Sequence, residues 1–303
     1  MKLSIVFMGS PEFSLPALKK LHRYYQIRGV ITQPDKPAGR GKVLTPPPVK
    51  ILAESLGLTV IQPIKLRDPQ VFDLLSSWKP DMIVISAYGQ ILRQNVLDLP
   101  RYGCINIHPS LLPRWRGASP IPFTLLAGDE ITGVTIMKMD AGMDTGPLLA
   151  QVEEKILPED NAQTLHDRLS EKGADLLLDV IPKYMAGEII PVAQDNALAT
   201  YSRLISKDDG LLEYEAKIDL VLNQIRAFTP WPGVRMTWKE TPLKIIQAHG
   251  MGAKNTTPGK RVIVDSLPAI ELKDGRLILD QIQPAGKRPM SGRDFLRGAR
   301  DWA

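Results

Sequence analysis

Short apolar runs alternate with amphipathic stretches along the first 186 residues of the chain. Apolar runs that predict strands cover residues 3–8, 27–32, 59–61, 82–86, 102–107, 131–138 and 148–154. Apolar positions at helical spacing cover residues 13–21, 49–56, 68–78 and 164–185. Strands that alternate with helices form βαβ units, so we expect an α/β fold with a Rossmann-like, doubly wound and mainly parallel sheet.

The pattern changes after residue 186. Residues 187–206 mix polar and apolar positions without a clear period, which predicts a linker. A helix is predicted over 219–228, and strand-like runs follow at 234–238, 243–248, 260–264, 269–272 and 277–282. Short strands separated by turns favour a small, OB-like β-barrel. The predicted division is therefore a first domain over 1–186, a linker over 187–206, and a C-terminal barrel domain over 207–303.

The composition is that of an ordinary globular protein, with 303 residues, 44% hydrophobic and 23% charged. No apolar run approaches the roughly 20 residues that span a bilayer, and the N-terminus lacks a signal-peptide cleavage pattern. We therefore expect no membrane partner and a location in the bacterial cytoplasm or an organellar matrix. Nothing marks an obligate subunit interface, so a monomer is expected.

Cysteine and histidine are scarce, which narrows the candidate chemistry. The single cysteine, Cys104, excludes an intrachain disulfide, and its apolar strand context predicts an inert buried thiol. Four histidines without close ligand spacing give no basis for a metal site, and we expect none. The first strand is followed by Gly9 alone rather than three glycines, so a dinucleotide fingerprint is rejected, as is a phosphate-binding P-loop.

Positive charge is concentrated in two segments, against a formal net charge of +5. Residues 36–50 contain four basic residues and no acid, with Arg40 and Lys42 inside a Gly/Pro-rich loop over 33–42. Near the C-terminus, a single acid accompanies Lys287, Arg288, Arg293 and Arg297. Such clusters are often solvated faces, but two of them make a nucleic-acid partner plausible.

The most informative segment is the twelve residues 106–117, NIHPSLLPRWRG. Asn106 and His108 stand two residues apart at the end of an apolar strand, so they face the same way. The carboxyl end of a strand in an open α/β sheet is where ligand crevices form. Alone, Asn106 is read as a strand-end cap, His108 as a surface residue and Asp144 as a turn cap. The combination of this string with MDAGMDTGP at 139–147 favours catalysis instead.

Both segments resemble the active-site motifs of the folate-dependent formyltransferases, and SLLPRWRG is most similar to the branch that formylates methionine on initiator tRNA. The resemblance implies that Asn106, His108 and Asp144 carry the chemistry. Formyl transfer to an amine passes through an oxyanion, which the Asn106 amide can stabilise. His108 can stabilise the oxyanion or move protons, and Asp144 can orient the imidazole or relay a proton through water.

The resemblance also implies 10-formyltetrahydrofolate as the formyl donor. We expect its contacts within two strand-end segments and the loop before Asp144. The expected cofactor-binding residues are Tyr88, Gly89, Gln90, Ile91, Leu92, Ser110, Leu111, Leu112, Pro113, Asp140, Ala141 and Gly142. For Ile91 and Leu92, a ligand contact and an ordinary core position are equally good interpretations. For Ser110, we favour a structural role of the hydroxyl because no base–acid pair marks it as a nucleophile.

The C-terminal part carries a second resemblance, since RAFTPWPG at 226–233 is similar to the RAFNPWPG signature of the same branch. Thr229 in place of Asn, and Pro109 where relatives often have Gly, are mild departures. The resemblance implies initiator methionyl-tRNA as the partner, with Arg40 and Lys42 meeting its acceptor end and the C-terminal basic residues meeting its phosphates. Three alternatives stay open: a sugar-amine formyltransferase, an RNA-binding module with an inactive enzyme domain, and a formyl-folate hydrolase.

Overall fold

The computed structural model describes residues 2–38, 41 and 43–303. It divides into two compact units. Unit 1 comprises Met1–Pro120, Ile131–Lys155 and His166–Ser202, and unit 2 comprises Ile121–Glu130, Ile156–Leu165 and Arg203–Ala303. Within the described residues, no helix is long and apolar enough to cross a membrane.

Unit 1 alternates strands and helices, as the apolar pattern predicts. Its strands are β1 (Ser4–Gly9), β2 (Gln26–Ile31), β3 (Lys36–Ala38), β4 (Val43–Thr45), β5 (Val60–Ile61), β6 (Met82–Ser86), β7 (Cys104–His108), β8 (Arg116–Gly117), β9 (Ile131–Lys138), β10 (Leu148–Lys155) and β11 (Tyr201–Ser202). The helices that begin in it are α1 (Leu15–Tyr24), α2 (Pro48–Ser55), α3 (Pro69–Ser77) and α4 (Gln94–Leu97). Two further helices, α5 (Pro120–Ala127) and α6 (Ala162–Met185), each lie partly in the sequence ranges of unit 2.

The main sheet of unit 1 has seven strands in the order β10-β9-β7-β6-β1-β2-β5. β5, β2, β1, β6 and β7 run parallel; β9 pairs antiparallel with β7, and β10 pairs antiparallel with β9 at that side of the sheet. The chain builds outward from β1 to β2 and β5, then returns to place β6 on the other side of β1. This reversal is the switch point of a doubly wound fold, and it confirms the predicted fold class.

The strands next to the switch point are buried along their whole length. Every residue of β1, β6 and β7 is buried, as expected for parallel strands covered by helices on both faces. Cys104 of β7 lies in this core, and burial raises the pKa of its thiol to about 12. The predicted burial of Cys104 is confirmed, and the raised pKa agrees with the interpretation of this thiol as inert.

Unit 2 is dominated by antiparallel strands. They are β12 (Val234–Trp238), β13 (Thr241–Gly252), β14 (Arg261–Val264), β15 (Leu267–Leu272), β16 (Gly275–Pro284) and β17 (Met290–Ser291), with helices α7 (Ile218–Ala227) and α8 (Gly292–Gly298). The hydrogen-bonded order is β12-β13-β16-β15-β14, and β17 pairs with β16. Apolar side chains of β13, β15 and β16 form the core together with Phe295 and Trp302.

Some elements differ from the sequence-based expectation. The 33–42 segment, expected to be a loop, contains β3, which pairs with β4 in a short hairpin. Three helices were not predicted: α4 and α8 have four and seven residues, too few for a helical period to emerge. The third, α5, has the sequence PIPFTLLA, which is apolar on almost every side and so lacks an amphipathic pattern.

The segment predicted as a linker, residues 187–206, has structure of its own. Val192 forms an antiparallel bridge with Leu148, and β11 pairs in parallel with β8. Residues 187–202 therefore belong to unit 1, and the division between the two units falls after Ser202.

Candidate active site

The end of β7 presents two polar side chains from a strand that is otherwise apolar. Asn106 and His108 are 8% and 4% exposed, and they share a face because they are two residues apart. β7 lies beside β6, whose carboxyl end borders the switch point. Among the described residues, the Asn106 amide has no hydrogen-bond partner, so a donor is left available at this strand end.

The His108 ring has a fixed orientation. Its Nε2 lies 3.0 Å from the backbone carbonyl oxygen of Trp115. A carbonyl can only accept a hydrogen bond, so Nε2 must carry a hydrogen. The other ring nitrogen, Nδ1, lies 3.7 Å from Oδ1 of Asp144, which is too long for a direct hydrogen bond. Nδ1 is therefore the atom that can gain or lose a proton, with a carboxylate close by.

Asp144 is held by its backbone and its carboxylate. The Gly117 N–H donates to Asp144 Oδ2 at 2.8 Å. The backbone of Asp144 adopts a left-handed φ of +51°. A β-carbon on Gly117 would lie 2.3 Å from the Ser202 carbonyl oxygen, and its φ is +105°. Only glycine fits there, and this residue, the last of the NIHPSLLPRWRG string, supplies the N–H that holds the Asp144 carboxylate.

The expected folate segment 88–92 separates into side chains that can and cannot reach a ligand. Tyr88 and Leu92 belong to the buried core, at 2% and 5% exposure, whereas Ile91 is 88% exposed. The Gln90 side chain is occupied by Leu66 N and Pro63 O. Burial also raises the pKa of the Tyr88 hydroxyl. Within this segment, Ile91 and the backbone, including Gly89, are the groups accessible to a ligand.

Residues 110–113 form a tightly bonded turn behind the strand end. Ser110 is fully buried and its hydroxyl donates to the Arg114 carbonyl at 2.6 Å, in line with a structural role. Leu112 is buried, and its N–H donates to Thr135 Oγ1 at 3.1 Å. Leu111 and Pro113 are half-buried, so contacts from this turn to a ligand are limited to them and to backbone groups.

The loop before Asp144 is exposed but ordered by one carboxylate. Asp140 Oδ1 accepts from the Gly142 N–H at 3.0 Å and from Thr145 Oγ1 at 2.7 Å. Ala141 and Gly142 are exposed, so their surfaces are open to a ligand. The Asp140 side chain therefore shapes the loop that leads into Asp144.

The basic residues of the C-terminal part lie on the surface of unit 2. Lys287 and Arg288 are exposed between β16 and β17, and Arg293 and Arg297 are exposed on α8. Arg297 is 2.9 Å from Asp294 Oδ1, whereas no ion-pair partner of the other three lies among the described residues. Arg40 and Lys42, the residues expected at the tRNA acceptor end, lie outside the described residues.

Sequence reasoning missed three groups that hold the two candidate residues His108 and Asp144. They are the Trp115 carbonyl, the Gly117 N–H and the side chain of Gln194, which donates to the Asp144 carbonyl at 2.8 Å. Trp115 and Gly117 fall within the motif, so their proximity to the site could have been inferred. Gln194 falls in a segment without periodicity, where no pattern distinguishes it.

The sequence matches the family described as formyl transferase over residues 1–181, and the formyl transferase C-terminal domain over residues 204–300. Two similar proteins carry the name methionyl-tRNA formyltransferase. The one from Geotalea uraniireducens is 43% identical over 299 residues, covering 98% of this chain and 95% of that protein. The one from Chloroflexus aurantiacus is 45% identical over 300 residues, covering 98% and 97%.

A solved structure shares the fold at low sequence identity. It is an N-formyltransferase from Helicobacter canadensis, in complex with folinic acid and dTDP-3-aminofucose. The TM-score is 0.67 and the identity 18%, with 93% of this chain and 99% of that chain covered. At this identity the likeness concerns the fold alone.

Proposed function

The chain belongs to the formyl transferase family, and on that premise we propose that it transfers a formyl group from 10-formyltetrahydrofolate to the α-amino group of methionine on initiator methionyl-tRNA. The main support is the full-length similarity, at 43–45% identity, to proteins named for this reaction. Within the site, the observation that carries the chemistry is an Asn106 amide without a described protein partner, two residues from the His108 of a His108–Asp144 pair.

The amide of Asn106 is suited to stabilise the oxyanion. As the amine nitrogen bonds to the formyl carbon, the carbonyl oxygen becomes negatively charged and needs a fixed donor. Asn106 is 8% exposed, and no described protein group is hydrogen-bonded to its amide, so the amide can point its N–H groups at a substrate oxygen. A donor arranged in this way stabilises the transition state without reorganisation, and losing one such donor typically costs about 3–4 kcal/mol.

His108 is suited to move the protons that the reaction requires. The amine loses a proton as its bond to the formyl carbon forms, and the nitrogen that leaves the formyl carbon gains one. Because the Trp115 carbonyl keeps the hydrogen on Nε2, the proton must pass through Nδ1. Asp144 faces Nδ1 at 3.7 Å, so its negative charge stabilises the imidazolium, and the gap can be bridged by a water molecule.

The groups left open around the strand end fit a folate donor. A bound 10-formyltetrahydrofolate would supply the activated formyl group. Ile91 offers an apolar side chain, and the backbone at Gly89 and over 140–142 offers hydrogen-bonding groups. An apolar surface combined with backbone donors and acceptors is suited to bind the ring system of a folate. We include Tyr88 and Leu92 through their backbone only, since their side chains fill the core.

The C-terminal domain is proposed to bind the tRNA. Its exposed basic residues, three of them without an ion-pair partner among the described residues, are suited to contact phosphates. We propose a catalytic domain over 1–186 that is extended by residues 187–202 of unit 1, and a tRNA-binding domain over 207–303.

The test is to incubate the protein with 10-formyltetrahydrofolate and three acceptors in parallel: charged initiator tRNA, an amino-sugar nucleotide, and water. Charged initiator tRNA should be formylated, with much slower product formation from the other two. Uncharged initiator tRNA is the matched control, because it lacks the amine. Preferential formylation of the sugar would replace the proposal with a sugar-amine formyltransferase, and release of formate alone would replace it with a hydrolase. No turnover despite tRNA binding would indicate a binding module.

A further inference from the structure

A segment at the end of unit 1, residues 192–202, runs along the catalytic site and is named the strap here. One end is attached where Val192 and Leu148 exchange two backbone hydrogen bonds of 2.8 and 2.9 Å. The other end is attached where β11 pairs with β8, which consists of Arg116 and Gly117. One end of the strap is therefore joined to β10, which begins shortly after Asp144 in the sequence. The other end is joined to β8, which belongs to the same NIHPSLLPRWRG string as His108.

The side chain of Gln194 uses all of its hydrogen-bonding capacity, with its amide nitrogen bonded to the Asp144 loop and its amide oxygen bonded to Arg116. Its Nε2 donates to the carbonyls of Asp144 and Gly146 at 2.8 and 2.7 Å. Its Oε1 accepts from Nε and Nη2 of Arg116 at 3.0 and 2.8 Å. A carbonyl cannot donate and a guanidinium cannot accept, so only this orientation of the amide satisfies both sides.

Arg116 closes this set of contacts into a ring. Its side chain is 1% exposed, and among the described residues no carboxylate forms an ion pair with it. The amide oxygens of Gln194 and Asn196 accept from the guanidinium instead. The next peptide N–H, that of Gly117, donates to the Asp144 carboxylate. Asp144, Gln194, Arg116 and Gly117 thus form a closed arrangement, which we call the clamp.

The strap also reaches the other member of the catalytic pair. Thr200 Oγ1 accepts from the Trp115 N–H at 2.9 Å, and the Trp115 carbonyl accepts from His108 Nε2. The Thr200 backbone carbonyl accepts from the Arg116 N–H at 2.9 Å. The same short segment therefore holds the backbone that orients the imidazole and the backbone that orients the carboxylate.

We propose that the strap is a positioning device for the catalytic pair, in which Gln194 fixes Asp144 through the clamp and Thr200 fixes His108 through Trp115. Asp144 has a left-handed φ of +51°, a conformation that persists only where the surroundings determine it. The buried guanidinium of Arg116 binds the Gln194 amide and not the Asp144 carboxylate. The negative charge of Asp144 is therefore available to stabilise a protonated His108. This proposal rests on the proposed function, because it assumes that the pair is catalytic.

The first test compares Gln194→Glu with Asn196→Ala. Glutamate keeps an oxygen for Arg116 but cannot donate to the Asp144 and Gly146 carbonyls once it is ionised, and alanine at 196 removes an Arg116 contact outside the clamp. We expect kcat to fall about 10²-fold in Gln194→Glu, with little change in KM, because small misplacements of reacting groups have effects of that size. Asn196→Ala should keep near-normal kcat. Near-normal kcat in Gln194→Glu, or equal losses in both variants, would overturn the proposal.

The second test compares Thr200→Val with Thr200→Ser. Valine has a similar shape but lacks the oxygen that accepts from the Trp115 N–H, and serine restores it. The pH–rate profile of kcat should change in Thr200→Val and return to that of the wild type in Thr200→Ser. A profile unaffected by Thr200→Val would show that the hydroxyl has only a structural role.

A readout without the reaction separates this proposal from the proposed function. The imidazole ¹⁵N–¹H signal of His108, assigned by its loss in His108→Ala, reports which nitrogen carries the hydrogen. We expect an Nε2–H signal in the wild type and in Asn196→Ala, and a shifted signal in Gln194→Glu and Thr200→Val. If the wild type fails to formylate tRNA but these shifts occur, the proposed function fails while the positioning role stands. Unchanged signals in both strap variants would overturn the positioning role.

Discussion

The strand-end site of unit 1 and the basic surface of unit 2 are built in opposite ways. Asn106 and His108 are almost fully buried, and the atoms around His108 are fixed by hydrogen bonds to backbone groups. Lys287, Arg288 and Arg293 are exposed, without an ion-pair partner among the described residues. One region has few, precisely oriented groups, and the other has several charges with little fixed geometry.

This difference corresponds to two kinds of physical work. Stabilising a transition state requires donors held within a fraction of an ångström, so the site relies on burial and on the surrounding backbone. Attracting a phosphate backbone requires charge more than geometry, and the gain comes from released counterions. We therefore expect substitutions in the first region to affect turnover independently of salt, and substitutions in the second to affect affinity in a salt-dependent way.

The largest effect is expected for His108→Ala. Removing a general acid–base group typically lowers the rate by about 10²–10⁴-fold, and we expect about 10³-fold here. Single-turnover formylation of charged initiator tRNA measures it directly. The tRNA affinity and the midpoint of thermal unfolding should stay close to those of the wild type. Retention of most of the single-turnover rate would remove His108 from the proton pathway.

A somewhat smaller effect is expected for Asn106→Ala. Loss of one oxyanion donor lowers kcat by about 10²–10³-fold. Asn106→Asp provides the matched comparison, because the carboxylate has nearly the same shape but repels an oxyanion, so it should be at least as impaired. If the aspartate variant were more active than the alanine variant, the amide would not be the oxyanion donor.

Asp144→Asn should lower kcat by about 10²-fold, because the amide cannot supply the negative charge that stabilises the imidazolium. The asparagine oxygen can still accept from the Gly117 N–H, so the fold should be retained. The pH–rate profile of the variant is the decisive measurement. A profile with the same shape as that of the wild type would mean that Asp144 does not participate in proton movement.

The smallest effects are expected at the basic surface. Arg293→Ala should weaken tRNA binding severalfold and flatten the dependence of log affinity on log salt by about 0.7–0.9. Arg297→Ala should have less effect, because Asp294 already compensates part of its charge at 2.9 Å. Titrations of initiator tRNA at several salt concentrations distinguish the two variants. Identical slopes in wild type, Arg293→Ala and Arg297→Ala would mean that α8 does not meet the tRNA.

The two regions also differ in how well the sequence predicts them. The β7 end was predictable because a continuous apolar run indicates a strand, and side chains two residues apart in a strand, here Asn106 and His108, lie on the same face. Which imidazole nitrogen carries the hydrogen was not, since that depends on the Trp115 carbonyl, brought back to His108 by the turn at 110–113. The Ile91 and Leu92 alternatives were equally good in the sequence, and only burial separates them.

The structure of the 192–202 segment also depends on contacts between residues far apart in the sequence. Residues 192–202 were predicted as part of a linker because their polar and apolar positions follow neither a helical nor a strand period. Their order comes from long-range hydrogen bonds to residues 113–118 and 144–148, which local patterns do not encode. The fold of unit 1 was predictable because its core strands are continuous apolar runs separated by turns.

The most direct test of this division of work is a double-mutant cycle between His108→Ala and Arg288→Ala. Both single variants and the double variant are assayed for kcat/KM with charged initiator tRNA at one fixed salt concentration. If chemistry and phosphate binding are independent, the two changes in transition-state free energy add to within about 0.5 kcal/mol. A coupling free energy well above about 1 kcal/mol would contradict the account, because it would mean that the basic surface contributes to the chemical step itself.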